Sequence, residues 1–205
     1  MRYALPAVLM LLGAPVAAGT IDFEGFSAGD NVTSVSVAGA TASVSATGGI
    51  DQAWVFDTDN PTGGDFDLAA PFLDSGATPG NVLIIQENDD GVPDDAGAGG
   101  TITFVFDRAV RFLGFDAFDD FGIDVSGSEA GQVFTATNGR DRGDATFGGF
   151  DWVTTSLTFD FNGTGPGGRS GAIDNLQIAA IPVPAGLPLL ALGLGLLGWA
   201  GRRRS

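Results

Sequence analysis

Cysteine, histidine and lysine are absent from all 205 residues, and tyrosine occurs once, as Tyr3. These gaps exclude whole classes of chemistry. Without histidine or cysteine there is no Ser-His-Asp or Cys-His nucleophile system and no zinc site of the usual donors. Without lysine there is no Schiff-base amine and no phosphate-loop lysine. Without cysteine no disulfide staples the fold, so disulfides speak neither for nor against an oxidising compartment. Basic residues are also scarce, with nine Lys plus Arg against 25 Asp plus Glu and a formal charge of -16. Arg2 and Arg202 to Arg204 stand at the two ends. The body keeps five arginines (Arg108, Arg111, Arg140, Arg142 and Arg169) against all 25 acids, a net charge of -20. Such a surface repels nucleic acid and anionic headgroups and attracts cations. Aspartate, its commonest charged residue, is a hard oxygen donor suited to Ca²⁺.

What is present begins with two apolar ends. Residues 1–18, MRYALPAVLMLLGAPVAA, have a positive start at Arg2, an apolar core from Ala4 to Leu12 and small residues at Val16-Ala17-Ala18. That is the pattern of a secretory signal peptide. At the other end Val183 to Gly201 carries no charge. As a helix it would be roughly 28 Å long, just enough to cross a bilayer. Pro184 and Pro188 interrupt its start, and Gly193, Gly195 and Gly198 weaken it. Arg202, Arg203 and Arg204 would anchor the terminus on the cytoplasmic side, which agrees with an exported body. Three segments are therefore expected: a leader over 1–18, a domain over 19–181 and a membrane-directed tail over 182–205.

The tail, Val183-Pro184-Ala185-Gly186-Leu187-Pro188 followed by an apolar run and three arginines, resembles the C-terminal sorting signal of the PEP-CTERM class. It is closest to the variant that reads Val-Pro-Leu-Pro-Ala; here Ile181-Pro182-Val183-Pro184-Ala185 has valine where that variant has leucine. The resemblance covers about 25 residues, with motif, helix and basic tail in the family's order. It implies processing by an exosortase, a membrane transpeptidase-like enzyme. It further implies transient anchoring through the helix, then delivery to the surface or extracellular matrix of a bacterium. It implies nothing about what the body does.

Residues 19–181 show short alternating apolar runs split by glycine and aspartate, with no helical period of useful length. Thr101 to Phe106 points Ile102, Phe104 and Phe106 to one face. Leu157 to Phe161 and Val32 to Val37 repeat the pattern. Asn81 to Gln86 (NVLIIQ) is continuously apolar, the mark of a central strand. Val110 to Phe118, Gln132 to Thr137 and Ala172 to Ala180 bring the expectation to nine or ten strands. The 33 glycines sit mainly between these runs, and the 16 phenylalanines with Trp54 and Trp152 supply the apolar payload. The expected fold is all-β: one antiparallel, jelly-roll-like β-sandwich.

Three acidic features stand out. In Asp57-Thr58-Asp59-Asn60-Pro61-Thr62-Gly63-Gly64-Asp65-Phe66-Asp67, extended chain makes like-facing pairs of Asp57 with Asp59 and Asp65 with Asp67, and the proline and glycines fold the chain back between them. Four carboxylates held together repel unless a cation neutralises them, and Ca²⁺ takes six to eight oxygens at roughly 2.3–2.6 Å. The stretch is not an EF-hand, because Leu68 stands where that loop needs a bidentate Glu. Glu87-Asn88-Asp89-Asp90-Gly91-Val92-Pro93-Asp94-Asp95 is the second, offering Glu87, Asp90 and Asp94; its Asp-Gly-Val-Pro-Asp core resembles calcium loops of thrombospondin type 3 repeats. The two loops are candidates to share one ion. The PTGGD loop, the GNVLII strand and the GVPDD loop together look like a body that recurs with PEP-CTERM signals. Third, Ile21-Asp22-Phe23-Glu24 and Ala172-Ile173-Asp174-Asn175-Leu176 resemble the first and last strands of calcium-bearing, carbohydrate-binding-type jelly rolls. That likeness implies that Glu24 and Asp174 bracket a structural Ca²⁺.

These features favour an exported, non-catalytic surface or matrix protein with a Ca²⁺-stabilised sandwich, with extracellular polysaccharide as a candidate partner and no role with nucleic acid. Trp54 and Trp152 serve either as core or as sugar-stacking platforms. The alternative is a glycoside hydrolase or other polysaccharide-active enzyme working with two carboxylates. Only Glu24, Glu87 and Glu129 are glutamates. Of these Glu87, next to a buried strand, is the one desolvation would favour. No acid–base pair stands out, so no catalytic residue is assigned.

Overall fold

The computed structural model describes residues 17–70, 73, 75–119, 122–137, 142–161 and 170–181. The expected leader up to Val16, and the sorting motif, apolar helix and arginine anchor of residues 182–205, lie outside the described residues. Among the described residues no helix is long and apolar enough to cross a membrane.

The described residues form ten strands: β1 (Ala18–Ile21), β2 (Ser34–Val37), β3 (Ala40–Thr47), β4 (Ala53–Asp57), β5 (Asn81–Ile85), β6 (Thr101–Phe118), β7 (Gly122–Gly127), β8 (Val133–Thr137), β9 (Asp144–Asp160) and β10 (Ala172–Ala180). The fold is all-β, and every pairing is antiparallel. The main path runs β4-β5-β10-β6-β9-β7-β8. β1 pairs with β10, and β2 and β3 extend from the first half of β6.

The long strands β6 and β9 curl the sheet. The sequence reading splits β6 into runs over 101–106 and 110–118; the structure carries one strand through both. Its first half pairs with β3 and its second half with β10, while β9 follows it on the other side. The β6–β9 register breaks between Val105 and Val110. Asp107 and Arg108 are exposed in this break, where they pair with each other, and Asp107 accepts the Thr41 N–H at 3.1 Å. An irregularity of this kind bends a strand and tightens its twist. Residues from both halves of β6 then close over one apolar core.

Phenylalanine dominates that core. Phe104, Phe112, Phe115 and Phe159 are fully buried. Phe112 lies 5.0 Å from the Phe150 ring and 5.8 Å from Trp152. Burying one such ring contributes about 1.5–3 kcal/mol. β3 shows the period-2 alternation in pure form, with Ala40, Ala42, Val44 and Ala46 inward. Its inward residues are mostly alanine, too weak a signal for the sequence reading to mark a strand.

β5 is central, as its continuous apolar run predicts. Leu83 and Ile85 face the main core, whereas Val82 and Ile84 face a second cluster with Phe56, Leu68, Leu73, Phe118 and Ala172. The long loop after β4 covers this second face. Its neck closes at Thr58, whose N–H and hydroxyl both donate to the Gly80 carbonyl, at 3.0 and 2.9 Å. The need to cover an apolar strand on both faces thus lays an acid-rich loop across the sheet. Trp54 and Trp152 are both half-buried against the clusters, and the Trp54 indole N–H donates to Gln52 at 2.8 Å.

Candidate metal centre

The two acidic loops meet. The loop after β5 is held by Gln86, whose side chain is fully buried. Its amide nitrogen donates to the carbonyls of Asn88 and Val92 at 2.9 and 2.7 Å, and its amide oxygen accepts the Asp94 N–H at 3.1 Å. A bridge between Gln86 and Asp95 closes the loop. The covering loop docks on it: the Thr62 hydroxyl donates to the Pro93 carbonyl at 2.7 Å, and the Asp95 N–H donates to Asp65 Oδ2 at 2.8 Å. Gly63, at φ 68°, makes this approach possible. A Cβ there would lie 2.6 Å from the Asp94 Cβ and 2.7 Å from the Pro93 oxygen.

As a result Asp65, Asp94 and Asp95 place carboxylate oxygens within 4.8 Å of one another. Ligands on opposite sides of a Ca²⁺ ion at roughly 2.3–2.6 Å stand about that far apart. The electrostatics reflect the crowding. Burial raises the Asp65 carboxyl to about 7; the Asp94 carboxylate adds to the rise, and the Asp95 N–H opposes it. Asp95 is raised well above the ordinary range, first by burial and then by the carboxylates of Asp65, Asp119 and Asp67, against the Gly171 N–H that bonds its Oδ2 at 2.9 Å. Near neutral pH such a group holds either protons or a cation.

The structure departs from the sequence reading in which acids converge. Asp57 and Asp59 do not join Asp65 and Asp67 in a four-carboxylate site. Asp57 is occupied as a turn cap, accepting the N–H groups of Asp59 and Asn60 and the Asn60 amide. Asp59 is exposed. Asp67 accepts the Leu68 N–H and acts on Asp95 only through its charge. Glu87 and Asp90 are exposed as well, and Asp90 caps its own turn through the Val92 N–H at 2.8 Å. The turn at 62–65 faces residues 93–95 instead of residue 57. Sequence reasoning passed over Asp95 and the positioning role of Gln86, because both depend on which loop lies across the sheet.

The two ends of the body lie side by side, as expected: Ile21 is opposite Leu176 in the β1–β10 pair. Glu24 Oε1 accepts the Asn81 N–H at 2.9 Å. Asp174 is buried, and Asp116 is its cross-strand partner on β6. Burial raises Asp174 to about 8, with Asp116, Asp22 and Glu24 adding to the rise and the Asn175 N–H opposing it. No protein-family model matches this chain, and neither a curated protein nor a solved structure does.

Proposed function

We propose that this chain is an exported, non-catalytic surface or matrix protein whose body, a jelly-roll-like β-sandwich, is stabilised by Ca²⁺ between its two acidic loops. The carrying observation is the convergence of Asp65, Asp94 and Asp95 from separate loops. A hard divalent cation there replaces carboxylate repulsion with attraction. Loss of the ion would separate the loops and uncover the second apolar cluster. The leader-like start and the PEP-CTERM-like tail support export, exosortase processing and final placement at a bacterial surface. The missing histidine, cysteine and lysine support a binding or structural role over catalysis.

The test is thermal unfolding of the full-length chain in mild detergent, with Ca²⁺, with EDTA and with Na⁺ at matched ionic strength. Ca²⁺ binding only the folded state adds about 2.7 kcal/mol at a hundredfold excess over the dissociation constant. Replacing Asp65, Asp94 and Asp95 by Asn should abolish most of that gain. A melting temperature indifferent to Ca²⁺ and EDTA refutes the reading. Mapping both termini of protein recovered from its producing cell tests the processing, and a glycan-array screen with and without Ca²⁺ tests polysaccharide binding.

One observation favours the alternative, a polysaccharide-active enzyme: Asp65, raised to about 7, has the proton affinity of a general acid. Its partner Asp95 is buried, whereas hydrolysis needs room for a sugar between the two carboxyl groups. Reducing-sugar release abolished by Asp65→Asn would establish that reading.

A further inference from the structure

We propose that β8 is a docking edge for a second copy of this chain, and that two bodies join as a twofold dimer by antiparallel pairing of β8 with β8. The strand ends the path β4-β5-β10-β6-β9-β7-β8, and among the described residues nothing pairs with its outer side. Which backbone groups point that way follows from the ladder. The Gly127 N–H donates to the Gln132 carbonyl at 2.9 Å, so the hydrogen-bonded rungs with β7 fall at Phe134 and Ala136. Val133, Thr135 and Thr137 therefore turn their N–H and C=O groups outward. The other margins of the sheet are guarded. Residues 29–32 bond along β4, with the Gly29 N–H on the Val55 carbonyl at 2.9 Å and the Val32 N–H on the Ala53 carbonyl at 2.8 Å. β2 abuts β1, where a Cβ on Gly19 would lie 2.9 Å from Val37 Cγ2. The first half of β9 carries Asp144 and Asp151 and has an irregular register beside Gly149, at φ 83°. Charges and irregularities keep sheet edges from pairing. β8, Val-Phe-Thr-Ala-Thr, has no charge, no proline and no break in register, and its Val133 is 66% exposed.

The occupant follows from self-complementarity. With Thr135 on the twofold axis, Thr135 faces Thr135 and Val133 faces Thr137 of the second copy. The outward residues of the two strands then meet only one another, in three hydrogen-bonded rungs of two bonds each. Thr–Thr and β-branched pairs are favourable across strands. On the other face Phe134 meets Ala136, and the two Phe134 side chains stand diagonally at about 7–8 Å, within reach for aromatic rings. Phe134 is half-buried, 5.0 Å from the Phe150 ring and 5.4 Å from Phe147, so pairing carries this ring cluster across the axis. Charge makes the same choice. The body carries -20, and an uncharged strand lets two such bodies meet without carboxylate facing carboxylate. An isologous contact closes on itself, so assembly stops at two. Nothing in this depends on a cation at the loop trio.

The test is sedimentation velocity of the full-length chain in mild detergent, joined to residue-resolved amide hydrogen exchange. The apolar tail is common to all forms, so association through it is unmoved by changes in β8. Wild type should be a dimer, held more tightly in NaCl because salt screens the two acidic bodies. On dilution to monomer, exchange at Val133, Thr135 and Thr137 should speed up while Phe134 and Ala136, bonded to β7, stay slow. Thr135→Pro removes both bonds of the central rung and leaves the β7 rungs intact, at an edge position where proline is tolerated. It should weaken the dimer about tenfold or more. Thr135→Lys keeps a partner for Asp124, which accepts the Thr135 hydroxyl at 2.5 Å, yet sets two lysines face to face across the axis. It should weaken the dimer as much, and it decides the matter if proline unfolds the hairpin. Val105→Lys, at an exposed position between β3 and β9, should leave the dimer unchanged. Wild type that stays monomeric leaves the edge to a different chain and overturns the inference. So does a dimer untouched in both Thr135 forms, one equally weakened by Val105→Lys, or exchange in β8 that ignores concentration.

Discussion

Gln86 carries the sharpest consequence of the loop geometry. Its side chain makes three hydrogen bonds, all to the backbone of residues 88–94, and it does so fully buried. Gln86→Met keeps the length and volume and removes all three. Each bond contributes about 1 kcal/mol net, and the released carbonyls of Asn88 and Val92 can turn to solvent because the loop is exposed there, so the loss should be about 3 kcal/mol. For a unit of this size each kcal/mol moves the melting temperature by about 2–4 °C, giving a drop of about 6–12 °C. The readout is twofold. Thermal unfolding measures the drop, and amide hydrogen exchange should show residues 87–95 opening far more than β6 or β10. Because Asp94 then loses its anchor, the proposed gain in stability from Ca²⁺ should shrink as well. A Gln86→Met protein that melts within 1 °C of wild type, and exchanges residues 87–95 no faster, would refute the claim that this side chain organises the acidic loop.

Three more outcomes are expected. In EDTA the protein should lose stability as pH rises from about 4 through 8, because Asp65, Asp95 and Asp174 hold their protons more tightly folded than unfolded; an acid raised above its ordinary 3.8 costs nothing below that value, and the cost grows until the folded value is passed. Melting temperatures at pH 5 and pH 8 check this, and Ca²⁺ should flatten the slope. Gly63→Ala should cost clearly more than Gly91→Ala, which also has positive φ but open space around it; denaturant midpoints should show about 1 kcal/mol for Gly91 and at least twice that for Gly63. Phe112→Ala, in the fully buried ring cluster, should cost about 3–5 kcal/mol, whereas Phe66→Ser, at a site 62% exposed, should stay within about 0.5 kcal/mol by the same measurement.

Local pattern sufficed for the all-β class, since alternation over 101–106 and 157–161, and the continuous run of β5, are signals that burial imposes on any strand. Strand β10 was legible at its full length, and the side-by-side placement of the first and last strands of the body followed from a resemblance of their sequences. Also set by sequence alone were the acidic body and the absence of histidine, cysteine and lysine, which narrow the site chemistry to oxygen donors. Tertiary structure decided which acids meet. Asp57, the last residue of β4, and Asp65, in the loop that follows, part company, because Asp57 caps its own turn while residues 62–65 lie against residues 93–95. Asp116 joins Asp174 only through the pairing of β6 with β10, across 58 residues of chain. Strand β3 escaped notice because alanine fills its inward positions and gives little contrast in hydropathy. Periodicity records which side of a strand is buried; it carries no record of which loop is laid over that side. Carboxylates gather where the loop that covers an apolar face meets its neighbouring loop, and that is settled by packing.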